Sequence, residues 1–351
     1  MPLVTTTAYS NDIVRNGVAI STPFPIELGT RLLNRFKVML MRKKSLVLII
    51  CFLGAILTLC SWMFCRQHII FEASENSEWP YDAIKYVDIS DVPHNKLNIA
   101  IIDTGIDLTQ PDFQRIHIKT YSVLNENEPD NDNEHGTMVA KLICNSKLIN
   151  QKNANITSNI TFHVIDIGDG KNLTIQKLVD GIDLALKLKV DIINLSLGTY
   201  KNDETLKAKI QEVVDERIII VCASGDDATK QYLYPASYEG VISVSCTDMN
   251  NVNLLNNNMN DKIIVCAPGE KIPVGENSGK IKITNGSSAA SAIVTDVIIV
   301  LKSIKPSLNS YDIIDIFKKT SMDLGDKGRD EIYGYGLVNF KDCIMYVKSS
   351  L

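Results

Sequence analysis

From Leu97 to the C-terminus, apolar runs of strand length alternate with stretches of helical period. Parallel strands joined by crossover helices produce this rhythm. A strand buried on both faces reads as a short β-branched run, and the return to its parallel neighbour needs a helix. The strand candidates are 98–102, 161–165, 192–195, 218–223, 241–245 and 263–267. Helices are expected after His135, over 174–188 and 205–216, from Ser288 onward, and over 310–320. The predicted fold is α/β, a doubly wound, mostly parallel sheet with helices on both faces.

The first quarter of the chain reads differently. Residues 45–64 form a run of 20 uncharged, mostly apolar residues, the length a helix needs to cross a hydrocarbon core of about 30 Å. Arg42, Lys43 and Lys44 precede it, and Glu72, Glu75, Glu78 and Asp82 lie beyond it. A positive flank stays on the cytoplasmic side. The expectation is therefore one transmembrane helix ahead of the α/β domain, with the N-terminus cytoplasmic and residues 97–351 outside. The alternative is secretion after cleavage of a signal whose start is Met39 or Met41, although no small-x-small pattern closes the run. Residues 1–44 lack periodicity and read as disordered, and 65–96 read as a linker.

Composition narrows the function classes. The 36 basic and 41 acidic residues leave a net charge of −5, with no basic stripe to engage nucleic acid. Of eight cysteines, Cys51, Cys60 and Cys65 lie in or beside the apolar run. Cys144, Cys222, Cys246, Cys266 and Cys343 fall in the domain, an odd number without metal-ligand spacing. They read as small buried core residues, with no disulfide framework and no metal site.

Three short segments carry chemistry. Asn98-Ile-Ala-Ile-Ile-Asp-Thr-Gly105 sets Asp103 at the end of a strand, and Glu134-His-Gly-Thr137 sets His135 at the start of a helix. Asn285-Gly-Ser-Ser-Ala-Ala-Ser291 sets Ser288 at the mouth of another. Taken singly, an Asp after a strand is commonly a turn residue and a Ser before a helix a cap. In the order Asp, His, Ser they supply an orienting carboxylate, a base and a nucleophile.

With Ile193-Asn-Leu-Ser-Leu-Gly198, Ala223-Ser-Gly225, Ala267-Pro-Gly269 and Tyr333-Gly-Tyr-Gly-Leu-Val338, these blocks resemble the subtilisin-like serine peptidases, collinearly from about residue 97. The resemblance implies a serine endopeptidase acting through an acyl-enzyme on Ser288, with His135 as base and Asp103 holding the imidazole. It implies that an extended peptide or protein substrate lies as an added strand between Ser196-Leu197-Gly198 and Ala223-Ser224-Gly225. Leu233 falls where the family floors its first pocket, which implies small residues before the cut bond. Small anchored relatives act as processing enzymes, so selective cleavage is expected over digestion. A catalytically weak or inactive homologue that binds peptides is the rival expectation.

Two departures matter. The family places an Asn after its Ala-x-Gly segment to donate to the oxyanion beside the Ser288 backbone N–H, and here Asp226 stands there. Loss of that donor costs on the order of 10² to 10³ in turnover. A protonated Asp226 would still donate, as would the Ser288 N–H alone at a slower rate, and a small branch among the prohormone convertases carries Asp and is active. Secondly, Asp112 matches a calcium ligand of secreted relatives, yet no partner loop aligns through 145–159; a structural calcium is unproven and no cofactor is required. The stretch before the domain is too short for a folding-assisting propeptide, which speaks against maturation by self-cleavage.

Overall fold

The computed structural model describes residues 4–5, 11–12, 78–90, 93, 95–124, 133–151, 154–168, 173–277 and 280–350. The apolar run at 45–64 lies outside the described residues. In chain order the strands and α-helices are β1 (Val4–Thr5), β2 (Asn11–Asp12), α1 (Trp79–Ala83), β3 (Leu97–Asp103), β4 (Ile118–Ser122), α2 (Glu134–Cys144), β5 (Asn150–Gln151), β6 (Ala154–Asn155) and β7 (Ile160–Asp166). Next come α3 (Ile175–Lys187), β8 (Ile192–Leu195), β9 (Leu197–Gly198), α4 (Glu204–Asp215), β10 (Ile219–Ala223), β11 (Ile242–Thr247) and β12 (Val265–Pro268). The last are β13 (Ile272–Asn277), β14 (Lys280–Thr284), α5 (Ser287–Ile304), α6 (Ser310–Thr320) and α7 (Phe340–Ser349).

Seven strands form one sheet in the order β12-β11-β10-β8-β3-β7-β4, and every pairing in it is parallel. Strand alternation divides the apolar residues between two layers. Ile99 and Ile101 of β3 join the core under α2, α5, α6 and α7, and Ala100 and Ile102 join the core under α3 and α4. Thr174 caps α3 and Asp203 caps α4, each side chain accepting from the first turn.

All 18 residues of α5 are buried. Its length and composition would suffice to cross a membrane, but it runs through the interior of the domain, where a helix apolar all round belongs. Its cap, Gly286, has φ 114°, a conformation favoured by glycine.

Three features differ from the sequence reading. Trp79, Ile84 and Ile89 are buried, and the Phe340 N–H donates to the Ile84 carbonyl at 2.7 Å; the packed domain therefore begins near residue 79, inside the expected linker. The edge strand β4 escapes the sequence reading because Ile-Lys-Thr-Tyr-Ser is half-buried at most and shows no apolar run. In the segment expected to be disordered, β1 pairs antiparallel with β9 and β2 with β14. Residues 1–13 and 79–351 form one compact unit.

Candidate active site

The site sits at the carboxyl ends of the parallel strands, where open α/β sheets bind ligands. Asp103 is the last residue of β3 and fully buried. His135 lies in the first turn of α2, which abuts the loop leaving β3. A Cβ on Gly136 would overlap the Gly105 carbonyl oxygen, so glycine permits the approach. The Gly136 N–H donates to Thr104 Oγ1 at 3.0 Å, and the Asp107 N–H donates to Thr137 Oγ1 at 2.8 Å. These bonds lock the helix start to the strand end.

The result is a continuous chain of polar contacts. His135 Nδ1 lies 2.7 Å from Asp103 Oδ1, and His135 Nε2 lies 3.3 Å from Ser288 Oγ. Asp103 Oδ1 also accepts from the Thr104 N–H at 2.8 Å, which offsets part of the cost of burying its charge. Nδ1–H pointed at Asp103 leaves the lone pair of Nε2 facing the serine hydroxyl. Ser288 is the second residue of α5, at the positive end of that helix dipole.

Beneath Ser288 a second polar layer ties α5 to the sheet. Fully buried Asn194 donates to Thr295 Oγ1 at 2.9 Å, and Ser291 Oγ lies 3.0 Å from Ser196 Oγ and donates to the Ser288 carbonyl at 2.9 Å. Ser196 itself offers its carbonyl 3.5 Å from Ser288 Oγ. Sequence reasoning has no signal for this layer, since its members are about a hundred residues apart.

The segments expected to flank a peptide lie close together. Leu233 is buried with its side chain against both Gly198 and Gly225, and Thr199 and Tyr234 exchange two backbone hydrogen bonds of 2.7 Å. Asn258, inconspicuous in a run of three asparagines, secures Ala223-Ser224-Gly225 and the adjoining Asp227. It donates to the Ser224 carbonyl at 3.1 Å and accepts from the Asp227 N–H at 3.1 Å.

Asp226 turns toward the mouth of α5. Its carboxylate accepts from the Ser287 N–H at 2.9 Å and from the Ser287 hydroxyl at 3.0 Å, while that hydroxyl accepts from the Gly225 N–H at 3.1 Å. Burial pushes its pKa up to about 6 and Asp227 adds to this, whereas the Ser287 bonds and His135 pull downward. Asp226 thus takes a capping role that Gly286, having no side chain, leaves vacant. Ser287 is the hinge of this arrangement.

The five domain cysteines are buried and free. Asp112 Oδ2 lies 2.7 Å from the buried ammonium of Lys141, and Arg115 lines the adjacent cavity. The Lys141 ammonium is thus already paired with the one carboxylate that matches a calcium ligand. Among the described residues no group of three or more His, Cys, Asp or Glu could hold a metal.

The family model for subtilases, the S8 peptidases, matches residues 94–336. The chain is 29% identical over 248 residues to the minor extracellular protease Epr of Bacillus subtilis, covering 70% of this chain and 38% of that protein. It is 28% identical over 252 residues to subtilisin DY of Bacillus licheniformis, covering 69% and 89%. Among solved structures, the prenylagaramide maturation protease PagA aligns with a TM-score of 0.60 at 21% identity, over 74% of this chain and 94% of that one. A lanthipeptide protease aligns with a TM-score of 0.62 at 18% identity, over 79% and 95%.

Proposed function

Because the chain belongs to the subtilase family of serine peptidases, we propose that it hydrolyses peptide bonds as an endopeptidase acting on selected peptide or protein precursors. The observation that carries the reading is the unbroken contact chain Asp103–His135–Ser288. His135 Nε2 takes the Ser288 proton as Oγ attacks the scissile carbonyl, and the acyl-enzyme and free amine form when the imidazolium protonates the leaving nitrogen. Water then reverses the sequence. Asp103 fixes the tautomer and stabilises the imidazolium.

Selectivity is supported by analogy with the maturation and lanthipeptide proteases that share the fold, and by buried Leu233 beside Gly198 and Gly225, which favours small residues before the cut. Attachment to a membrane through residues 45–64, with the N-terminus cytoplasmic and the domain outside, is the localisation we propose, or secretion should a signal be cleaved. No metal or other cofactor is required by this chemistry.

The oxyanion would be met by the Ser288 N–H with Asp226 close by. An ionised carboxylate there opposes the developing charge, and above pH about 6 it is ionised. The rival reading, an inactive peptide binder, rests on this one residue. A fluorophosphonate probe separates the two: labelling abolished by Ser288→Ala supports the enzyme, and no labelling between about pH 5 and about pH 8 supports the binder.

A further inference from the structure

We infer that Asp296 is a positioning residue, which pins the far end of α2 to α5 through Ser146 and so keeps the helices of His135 and Ser288 in register. The inference rests on the endopeptidase reading above and adds to it a residue that touches neither substrate nor the reacting atoms.

The helices that carry the base and the nucleophile lie against each other. Val139, Ala140, Ile143 and Cys144 of α2 share one apolar core with Ala292 and Ile293 of α5. Ala289, Ala292, Ile293 and Asp296 recur at spacings of three and four, a single stripe of α5. Its first member shares a cluster with Leu142 of α2, and its last bonds Ser146, two residues past the end of α2. Polar contacts thus mark both ends of the helix pair. At the near end His135 Nε2 lies 3.3 Å from Ser288 Oγ. Asp296 lies eight residues further along α5, about 12 Å at the helical rise. Apolar packing is non-directional and lets helices slide, whereas a hydrogen bond fixes register.

Asp296 suits this place as a neutral acid. It is 1% exposed, one carboxyl oxygen bonds the Ser146 side chain, and Oδ1 has no hydrogen-bond partner. An ionised carboxylate in the interior needs a cation or several donors, and here it meets one neutral hydroxyl. The titratable group beside it is the Cys144 thiol, which burial and Asp296 push well up. The nearby ammonium groups are engaged elsewhere, Lys141 with Asp112 and Lys147 over the rings of Tyr81 and Tyr86. Burial pushes the Asp296 carboxyl well up, against the pull of Ser146.

Ser146 is itself fixed. Its carbonyl accepts from the Asn150 N–H at 3.1 Å and from Asn150 Nδ2 at 3.0 Å, and its Oγ accepts from the Leu148 N–H at 3.2 Å. The pin therefore joins α5 to a rigid turn. The sign of its pH dependence follows. The unfolded chain ionises Asp296 near pH 4, and the folded chain does so only at a higher pH. The contribution of Asp296 to stability is full below about pH 4 and shrinks as pH rises toward the folded value, by about tenfold in the folding equilibrium per pH unit.

The test uses the full chain in detergent with two substitutions. Asp296→Asn keeps a neutral polar group, and Asp296→Leu keeps a branched shape without the hydrogen bond. Between about pH 5 and about pH 7 the folding equilibrium of the unsubstituted chain, read by denaturant unfolding, should fall relative to that of Asp296→Asn by about tenfold per pH unit. On a chromogenic peptide anilide ending in Ala, Asp296→Leu should lower kcat by about tenfold or more with KM little changed, and Asp296→Asn should restore most of it. A stability difference that is flat with pH, or a folded Leu variant with undiminished kcat, would overturn the inference. Unfolding needs no hydrolysis, so a chain that takes no fluorophosphonate label fails the endopeptidase reading alone. Register is then read from the His135 ring-carbon resonance, which should shift in Asp296→Leu and return in Asp296→Asn; an unshifted resonance would count against the pin.

Discussion

The two flanks of Ser288 are built on opposite principles. On one, Asp103 and His135 turn their polar atoms toward the nucleophile through contacts of 2.7 and 3.3 Å. On the other, the Asp226 carboxylate turns toward the helix carrying the nucleophile and binds the Ser287 N–H and hydroxyl. Both carboxylates are buried, yet the first meets an imidazole that becomes a cation during reaction, and the second meets neutral donors. A carboxylate beside a developing cation assists the step, whereas one beside a developing oxyanion opposes it. The same side-chain type therefore has opposite effects according to the charge that appears next to it.

The largest effect should come from the assisting flank. Asp103→Asn keeps the shape but presents the wrong hydrogen-bond partner to Nδ1, and a loss of about 10⁴ in kcat is expected at neutral pH. Steady-state kinetics on a cleavable peptide would measure it; a loss below tenfold would mean that the contact chain is not the working one.

Next in size are the groups that hold the flanks in place. Lys141→Met removes the cation beside partly buried Asp112, and a destabilisation of about 1–3 kcal/mol should appear in denaturant unfolding. The thermal midpoint of the unsubstituted chain should not move on adding a chelator, because the Lys141 ammonium already balances the Asp112 carboxylate. A drop of several degrees with EDTA would restore a metal to the account. Asn194→Ala should cost about 1–3 kcal/mol by removing the amide that donates to the Thr295 and Ser291 hydroxyl oxygens, and kcat should fall with KM little changed, since the layer positions Ser288 and not the substrate.

The sheet and most helices are legible in the sequence because burial on two faces writes continuous β-branched runs, and helix starts carry caps such as Thr174 and Asp203. The triad residues are legible because each sits in a short local motif at a strand end or helix start. Two kinds of feature escape. Edge strand β4 lacks an apolar face, so its pairing with β7 leaves no periodic trace. Asn194, Asn258 and Ser287 act through partners 31 to 101 residues away, and nothing within a local window marks an asparagine that will bridge two loops. The match at Asp112 likewise says nothing of Lys141, whose ammonium arrives from α2.

The contrast between the flanks is tested most directly by the ratio of acylation rates of Asp226→Asn and the unsubstituted chain as pH varies. Above pH about 6 the Asp226 carboxyl is ionised and the amide supplies a donor in its place, so the ratio should be about 10 to 100 at pH 8. It should fall toward unity near pH 5, where the carboxyl is itself protonated. A ratio of one across the whole range would contradict the account, because Asp226 would then have no influence on the charge that forms at Ser288.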